Sequence, residues 1–344
     1  MNATADPGSV RLPPWLDEIW SRVGAARDSQ RLAHAMIITG PQGVGKRELA
    51  EAFARSLLCR ARDAEGYACG HCPDCLLLAA GSHPDLTRVG PEPGGKSREI
   101  SVGTIRTFSE HESLTPSRAD WKVALIDPAD HLNPSAANAL LKTLEEPSGQ
   151  TLLCLIAEHS GQLPATIRSR CLQIKVPIPD ESVALAWLSG RLPCPDMDPI
   201  IPLRLAHGAP LRALVEFDQD LFDQRRQRLE GFIDLALGRR DPVVEAAAWT
   251  AQGPAQMLDW LSGWVCDLLR LKAVPEAVKL INPDQREAFS QLAERIESAA
   301  GHRFLKRIME SRALADSNLN HSLMLEALAI DWFRLSQRIE TRRY

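Results

Sequence analysis

Between an apolar run and a helix-like stretch lies the sequence Gly40-Pro41-Gln42-Gly43-Val44-Gly45-Lys46. The run before it, Ala35 to Thr39, reads as a strand, and Arg47 to Leu58 reads as a helix. Strand, glycine-rich loop and helix in that order make a phosphate loop. Its glycines let backbone N–H groups turn towards phosphate oxygens, the helix N-terminus adds its dipole, and the lysine reaches the outer phosphates. Gly40, Gly43, Gly45 and Lys46 are therefore candidate nucleotide-binding residues. A loop of this kind commits its part of the chain to an α/β architecture, a parallel sheet flanked by helices.

The surrounding pattern agrees. From Leu32 to about Pro177, strand-like and helix-like runs alternate, with further strands expected at Val123 to Asp127 and Leu152 to Ala157. After Pro177 and Pro179 the strands stop. A helical unit follows over Asp180 to Phe217, interrupted by a loop containing Pro193, Pro195, Pro199 and Pro202. From Asp218 to Tyr344 the chain reads as helices throughout. Leu258, Leu261, Val265, Leu268 and Leu269 recur at helical spacing, as do Leu325, Leu328, Trp332 and Leu335. These are faces of a helical core, some of which could pack against another subunit. The expected division is 1–177, 178–217 and 218–344, and only Gly90 to Lys96 reads as a flexible loop. With 44% hydrophobic residues in 344, the chain can fill more than one core. A net charge of −4 argues against a large basic surface of its own, so any contact with DNA is expected to be shared with partners. No run approaches 18 apolar residues, and the N-terminus lacks a basic patch followed by an apolar core. The expectation is a cytoplasmic protein that does not engage a membrane.

The nucleotide site lacks two parts. The residue after the loop lysine should be Ser or Thr, whose hydroxyl ligates magnesium, and here it is Arg47. Asp127 ends a strand of the type that holds magnesium through its carboxylate. The next position, where a hydrolytic site carries a glutamate to polarise water, is Pro128. Asp130 lies too far along to replace it. Hydrolysis is expected to be absent, while binding of ATP or ADP stays open.

Four of the eight cysteines, Cys59, Cys69, Cys72 and Cys75, are separated by nine, two and two residues. Four thiolates can enclose a tetrahedral zinc ion, and Gly70 and Pro73 favour the tight turns this requires. A closed four-sulfur site has no position for water, so its role would be structural; free or redox-active cysteines are the alternative. His71 reads as a solvent-facing loop residue. Cys154, Cys171, Cys194 and Cys266 stand alone and read as packing residues.

Asn138-Ala139-Leu140-Leu141-Lys142-Thr143-Leu144-Glu145-Glu146-Pro147 reads physically as a core helix. Asn133 caps it, Pro134 fits its first turn, Ala137, Leu140, Leu141 and Leu144 form one face, and Pro147 ends it. Its wording resembles the helix after Walker B in bacterial clamp-loader subunits of the AAA+ class, and Ser169-Arg170-Cys171 resembles their SRC motif. Arg31-Leu32-Ala33-His34-Ala35 and the four-cysteine insertion fit the same family, so the resemblance covers most of residues 14 to 177. Further on, Leu211-Arg212-Ala213-Leu214 after Gly208 resembles the family's lid segment. Asn318-Leu319-Asn320 and Leu325-Glu326-Ala327-Leu328 resemble the end of its collar domain.

The resemblance implies a RecA-like AAA+ domain with a zinc module, a small helical lid, and an all-α collar that joins a five-membered ring in the DNA polymerase III holoenzyme. Family members that hydrolyse ATP, the gamma/tau subunits, keep an intact P-loop and a Walker B glutamate, and place a sensing threonine where this chain has Ala157-Glu158. Delta subunits typically lack both SRC and the zinc cysteines. SRC beside a broken ATP site therefore resembles the branch without independent catalytic activity. The resemblance implies that Arg170 enters the ATP site of a gamma/tau neighbour as an arginine finger in trans. It also implies gamma/tau and delta as partners, and the beta sliding clamp and primed DNA through the complex. An internal ion pair is the alternative for Arg170. For the chain as a whole the alternatives are an active gamma/tau-type ATPase and a zinc-dependent nucleic-acid-binding module.

Overall fold

The structure, a computed structural model, describes residues 11–92, 99–112, 115–193, 198–216, 218–276, 279–315 and 320–337. Cys194, Pro195, Phe217, Asn318, Leu319 and most of the expected loop at 90–96 lie outside them. Contacts divide the chain into two compact units, Met1–Arg191 with Gly208–Arg212, and Leu192–His207 with Ala213–Tyr344.

The first unit is built on five parallel strands, β1 (Ala35–Thr39), β2 (Leu86–Val89), β3 (Lys122–Ile126), β4 (Thr151–Ala157) and β5 (Leu172–Lys175), in the order β2-β3-β4-β1-β5. Around them run α1 (Asp17–Asp28), α2 (Lys46–Leu58), α3 (Pro73–Ala79), α4 (Val102–Glu112), α5 (Pro134–Glu145), α6 (Ala165–Arg168) and α7 (Glu181–Leu188). The three central strands are buried along almost their whole length, because helices cover both faces of the sheet.

Alternation within β1 divides its side chains between two cores. Met36 and Ile38 join Trp20, Leu49, Phe53 and Leu125 on one face, while Ala35 and Ile37 join Phe108, Ala136, Leu140 and Leu155 on the other. The expected α/β class is thus observed. The strand expected at Val123 to Asp127 sits one residue earlier, which leaves Asp127 just past its carboxyl end. β2 and β5 are edge strands that the hydrophobic pattern did not show: in β5 only Ile174 of four residues is buried.

Helix α5 forms as its sequence dictates. The Asn133 side chain accepts from the Ala136 N–H at 2.8 Å, Pro134 opens the helix, and the helix ends at Glu145, before Pro147. Ala137, Leu140 and Leu144 are buried, and Leu141 is partly so.

Among the described residues the second unit is entirely helical. It holds α8 (Ile200–Leu205), α10 (Gln219–Ala236), α11 (Pro242–Ala251), α12 (Pro254–Ala273), α13 (Arg286–Arg295), α14 (Ser298–Ala313) and α15 (His321–Gln337), while α9 (Pro210–Val215) straddles the division. Pro202, expected in a loop, lies instead in the first turn of α8, where its missing N–H would have had no helical partner anyway. Leu258, Leu261, Val265 and Leu268 meet Leu325, Leu328 and Trp332 in one core, with Leu269 and Leu335 at its margin. Phe232 stacks on Trp332 with ring centroids 4.2 Å apart, and the Trp332 Nε1–H donates to the Phe232 carbonyl at 3.0 Å. None of the described helices is long and apolar enough to cross a membrane.

Candidate functional site

The phosphate loop connects β1 to α2, as the sequence predicts. Gly43 and Gly45 have φ of +76° and +101°, a backbone region that other residues enter only with strain. Gly43 is also tightly covered. A Cβ there would fall 2.5 Å from the Arg212 nitrogen and 2.3 Å from its Cβ, and the Leu211 N–H donates to the Gly43 carbonyl at 3.1 Å. Residues 208–212 of the same unit therefore lie against the loop. Lys46 is buried, and its Nζ donates to the carbonyls of Gly40 at 2.6 Å and Pro41 at 2.7 Å. Burial pushes its pKa down, against the opposing pull of Glu158, Asp127 and Asp130. The lysine that would meet phosphate is turned onto the loop's own backbone.

Arg47, in the first turn of α2, forms an ion pair with Asp127 at the end of β3. The carboxylate expected to hold magnesium is thus engaged by the cation that stands where a hydroxyl was expected. Asp130 is engaged elsewhere: its Oδ2 accepts from the Glu158 N–H at 3.0 Å and fixes the end of β4. Gly40, Gly43, Gly45, Lys46 and Asp127 are together at the carboxyl edge of the sheet, the position where open α/β sheets bind ligands. Their side-chain charges, however, are satisfied within the protein.

The four cysteines meet at the carboxyl end of α2, which Cys59 caps. Their Sγ atoms lie within 4.8 Å of one another, with Cys59 3.6 Å from Cys69 and 3.9 Å from Cys72, and Cys69 3.9 Å from Cys75. Zn–S bonds of about 2.3 Å in a tetrahedron place sulfurs about 3.8 Å apart, so the quartet has the dimensions of a metal site. Three of the sulfurs accept backbone N–H groups from the others' loops: Cys59 from Cys69 at 3.3 Å, Cys69 from Cys72 at 3.4 Å, and Cys72 from Cys75 at 3.4 Å. For Cys72, burial pushes the pKa up, but donors from the Cys75 and Arg60 backbone and from its sulfur neighbours outweigh that and hold it at about 6. Burial raises Cys59 and Cys75. A four-sulfur cluster of these dimensions suits zinc. His71 is exposed and outside the cluster, as expected.

Beneath the quartet is a buried polar network that the sequence reading missed. Asp74, fully buried beside Cys75, pairs with Arg118 at 2.9 Å and Arg60 at 2.6 Å, with His83 3.7 Å away. The Arg118 hydrogen bond holds its carboxyl below the usual range. Asp85 accepts the N–H groups of Ser117, Arg118 and Ala119 at 2.6, 2.8 and 2.9 Å. The only sequence signal was a charged residue between two metal-spaced cysteines.

Arg170 follows α6. Its Nη2 lies 2.5 Å from Glu145 Oε1, and Nη1 donates to the Thr166 carbonyl at 2.9 Å. In the single chain the arginine is therefore ion-paired, and its guanidinium remains partly exposed. Cys171, next to it, is half-buried.

Sequence comparison places these features in a family. The profile described as "DNA polymerase III, delta subunit" matches residues 16–180, and "DNA polymerase III, delta subunit, C terminal" matches residues 219–334. The chain is 36% identical over 325 residues to the DNA polymerase III subunit delta' of Pseudomonas aeruginosa, covering 94% of this chain and 97% of that one. It is 30% identical to the subunit of the same name from Escherichia coli, over 93% and 95% of the two chains. To the DNA polymerase III subunit tau/gamma of Haemophilus influenzae it is 29% identical, covering 82% of this chain but 43% of that longer one. The chain belongs to the delta' subunit family of the DNA polymerase III clamp loader.

Proposed function

We propose that this chain is a non-hydrolysing ring member of the clamp loader that supplies Arg170 in trans to the ATP site of a gamma/tau-type neighbour and so helps place the sliding clamp on primed DNA. The observation that carries the reading is the Arg47–Asp127 ion pair. It sets a cation where magnesium would have to bind, and Pro128 supplies no base for the attacking water. A subunit so altered contributes to ATP-driven work through what it gives its neighbours. Arg170 is suited to that. Its planar fork can meet the oxygens of a γ-phosphate as charge redistributes in the transition state, and it retains exposed surface.

The degenerate loop takes no productive nucleotide on this reading. Lys46 is bonded to the Gly40 and Pro41 carbonyls, and Leu211 and Arg212 lie against Gly43. Cys59, Cys69, Cys72 and Cys75 hold a structural zinc. Residues 178–217 act as the lid, and 218–344 act as the collar through which the chain joins gamma/tau and delta subunits.

The test is reconstitution with those partners. Arg170→Ala should assemble normally yet slow clamp- and DNA-stimulated ATP hydrolysis. Losing a finger can cost roughly 10³ to 10⁵ at one site, but less in total turnover because the loader has several. Arg170→Lys should rescue poorly, because an ammonium lacks the fork. Wild-type loading by Arg170→Ala would make the arginine structural. Magnesium-dependent turnover by the pure chain would point to a gamma/tau-type ATPase instead.

A further inference from the structure

Helix α5 carries its acidic residues at the unfavourable end. Its first turn has none, and it finishes on Glu145 with Glu146 as C-cap, where unpaired carbonyls already concentrate negative charge. Glu145 faces Arg170, with Oε1 2.5 Å from Nη2. On the guanidinium's other side, Nη1 donates to the Thr166 carbonyl at 2.9 Å and reaches Ser169 Oγ at 3.4 Å, while that hydroxyl donates to the same carbonyl at 3.1 Å. The arginine is thus tethered from two elements at once, the end of α5 and the last turn of α6. Its side chain keeps 37% of its exposure and that of Glu145 keeps 51%. Exposed pairs of this kind add little to stability, so stability does not account for a carboxylate set against the helix dipole.

We propose that Glu145 is a positioning residue for Arg170. It fixes the plane of the guanidinium by one edge, so that the remaining N–H donors point outward to the phosphate of a nucleotide held by the adjoining subunit. The inference rests on the reading of Arg170 as a finger in trans. A guanidinium has five N–H donors in one rigid plane, so a carboxylate on one edge leaves donors free for a phosphate. An untethered arginine would sample many rotamers, and a misplacement of about 1 Å in a catalytic group can cost on the order of 10²-fold in rate. Glu145 does not itself meet the nucleotide.

The experiment combines Glu145→Ala, Glu145→Gln and Glu145→Asp with Arg170→Ala in loaders reconstituted with their gamma/tau and delta partners. Glu145→Ala and Glu145→Gln should lower kcat for clamp- and DNA-stimulated hydrolysis by roughly threefold to thirtyfold, with KM for ATP changed by less than about twofold. Glu145→Asp should recover part of the loss, and Glu145→Ala should add nothing once Arg170 is already alanine. In the isolated full chain, the Nε–H resonance of Arg170, assigned by its loss in Arg170→Ala, should shift towards exposed arginines in Glu145→Ala and Glu145→Gln. Unchanged or raised turnover in Glu145→Ala, or an unmoved Arg170 resonance, overturns the proposal and leaves the finger reading standing. An equal loss in the Arg170→Ala background does the same, since Glu145 would then act elsewhere. If Arg170→Ala itself turns over at the wild-type rate, the finger reading fails and the positioning role fails with it.

Discussion

At the scale of single residues, Arg47 stands where a magnesium-ligating hydroxyl was expected, while the fold of the loop around it is kept. Its ion pair engages Asp127, the carboxylate expected to hold magnesium. Arg47→Thr would free Asp127 and restore a hydroxyl, yet Pro128 would still provide no base. The pure variant should therefore release no phosphate from MgATP above background, and measurable turnover would mean that another carboxylate activates the water. Lys46→Ala should leave the assembled loader nearly as active as the parent, because Lys46 is bonded to its own loop. Gly231, inside α10, is a different kind of residue-scale constraint. Helix propensity alone would favour alanine there by about 1 kcal/mol. A Cβ, however, would fall 2.2 Å from Oε1 of Glu245, a buried carboxylate held by the Trp249 Nε1–H at 3.0 Å and Arg240 at 2.8 Å. Pushing it aside would break hydrogen bonds to a buried carboxylate, each worth about 1.5 to 3 kcal/mol, so packing outweighs propensity. Gly231→Ala should lower the denaturation midpoint, and a stabilised variant would show that Glu245 moves aside at little cost.

At the scale of elements, the central strands and the helices with strong caps were legible in the sequence, and the edge strands were not. β1 carries its own signal, four consecutive apolar residues and Thr39 leading into the phosphate loop. β5, with three of four residues open to solvent, has no such signal and exists because β1 offers it a ladder to join. That the four cysteines come together was readable from spacing, since they fall within 17 residues of one another. The Asp74–Arg118 and Asp85 contacts were not, because they join residues more than thirty positions apart. Asp85 makes an element-scale prediction. Burial raises its pKa, but the N–H groups of Ser117, Ala119 and Arg118 prevail and hold it below the ordinary 3.8. The folded state thus favours the carboxylate, so its stabilisation is present above about pH 4 and lost as the pH falls through the depressed folded value. Asp85→Ala removes the acceptor of three N–H groups on exposed or half-buried residues, where water can partly replace it, at about 0.5 to 1.5 kcal/mol per hydrogen bond. It should lower stability at pH 7, with the difference from the parent shrinking as the pH falls towards 3 in chemical denaturation. A pH-independent difference would assign the loss to packing alone.

At the scale of the whole molecule, the described residues form separate cores, two on the faces of the sheet and one among the helices, while the cysteine quartet belongs to the sheet-bearing unit alone. If the quartet holds the proposed zinc, the consequence of losing it is regional. Loss of such an ion removes the bonds that would tie the four sulfurs together, and metal binding at sites of this kind is coupled to local folding. The disturbance has a defined route. Cys75 adjoins Asp74, Asp74 holds Arg118, and the Arg118 backbone is bonded to Asp85 at the start of β2. Removal of zinc with a strong chelator should therefore speed amide hydrogen exchange at 59–79 and also at 115–119, well away in sequence. The Phe232–Trp332 core and helices α12 and α15 should keep their protection. Cys72→Ser should reproduce that pattern without chelator and bind less than one zinc per chain by metal analysis. Asp74→Asn, which retains the shape but loses the charge that holds Arg118, should loosen 115–119 while leaving zinc bound. If chelation loosens 59–79 alone, Asp74 does not relay the loss; if it changes exchange nowhere, the quartet holds no structural metal.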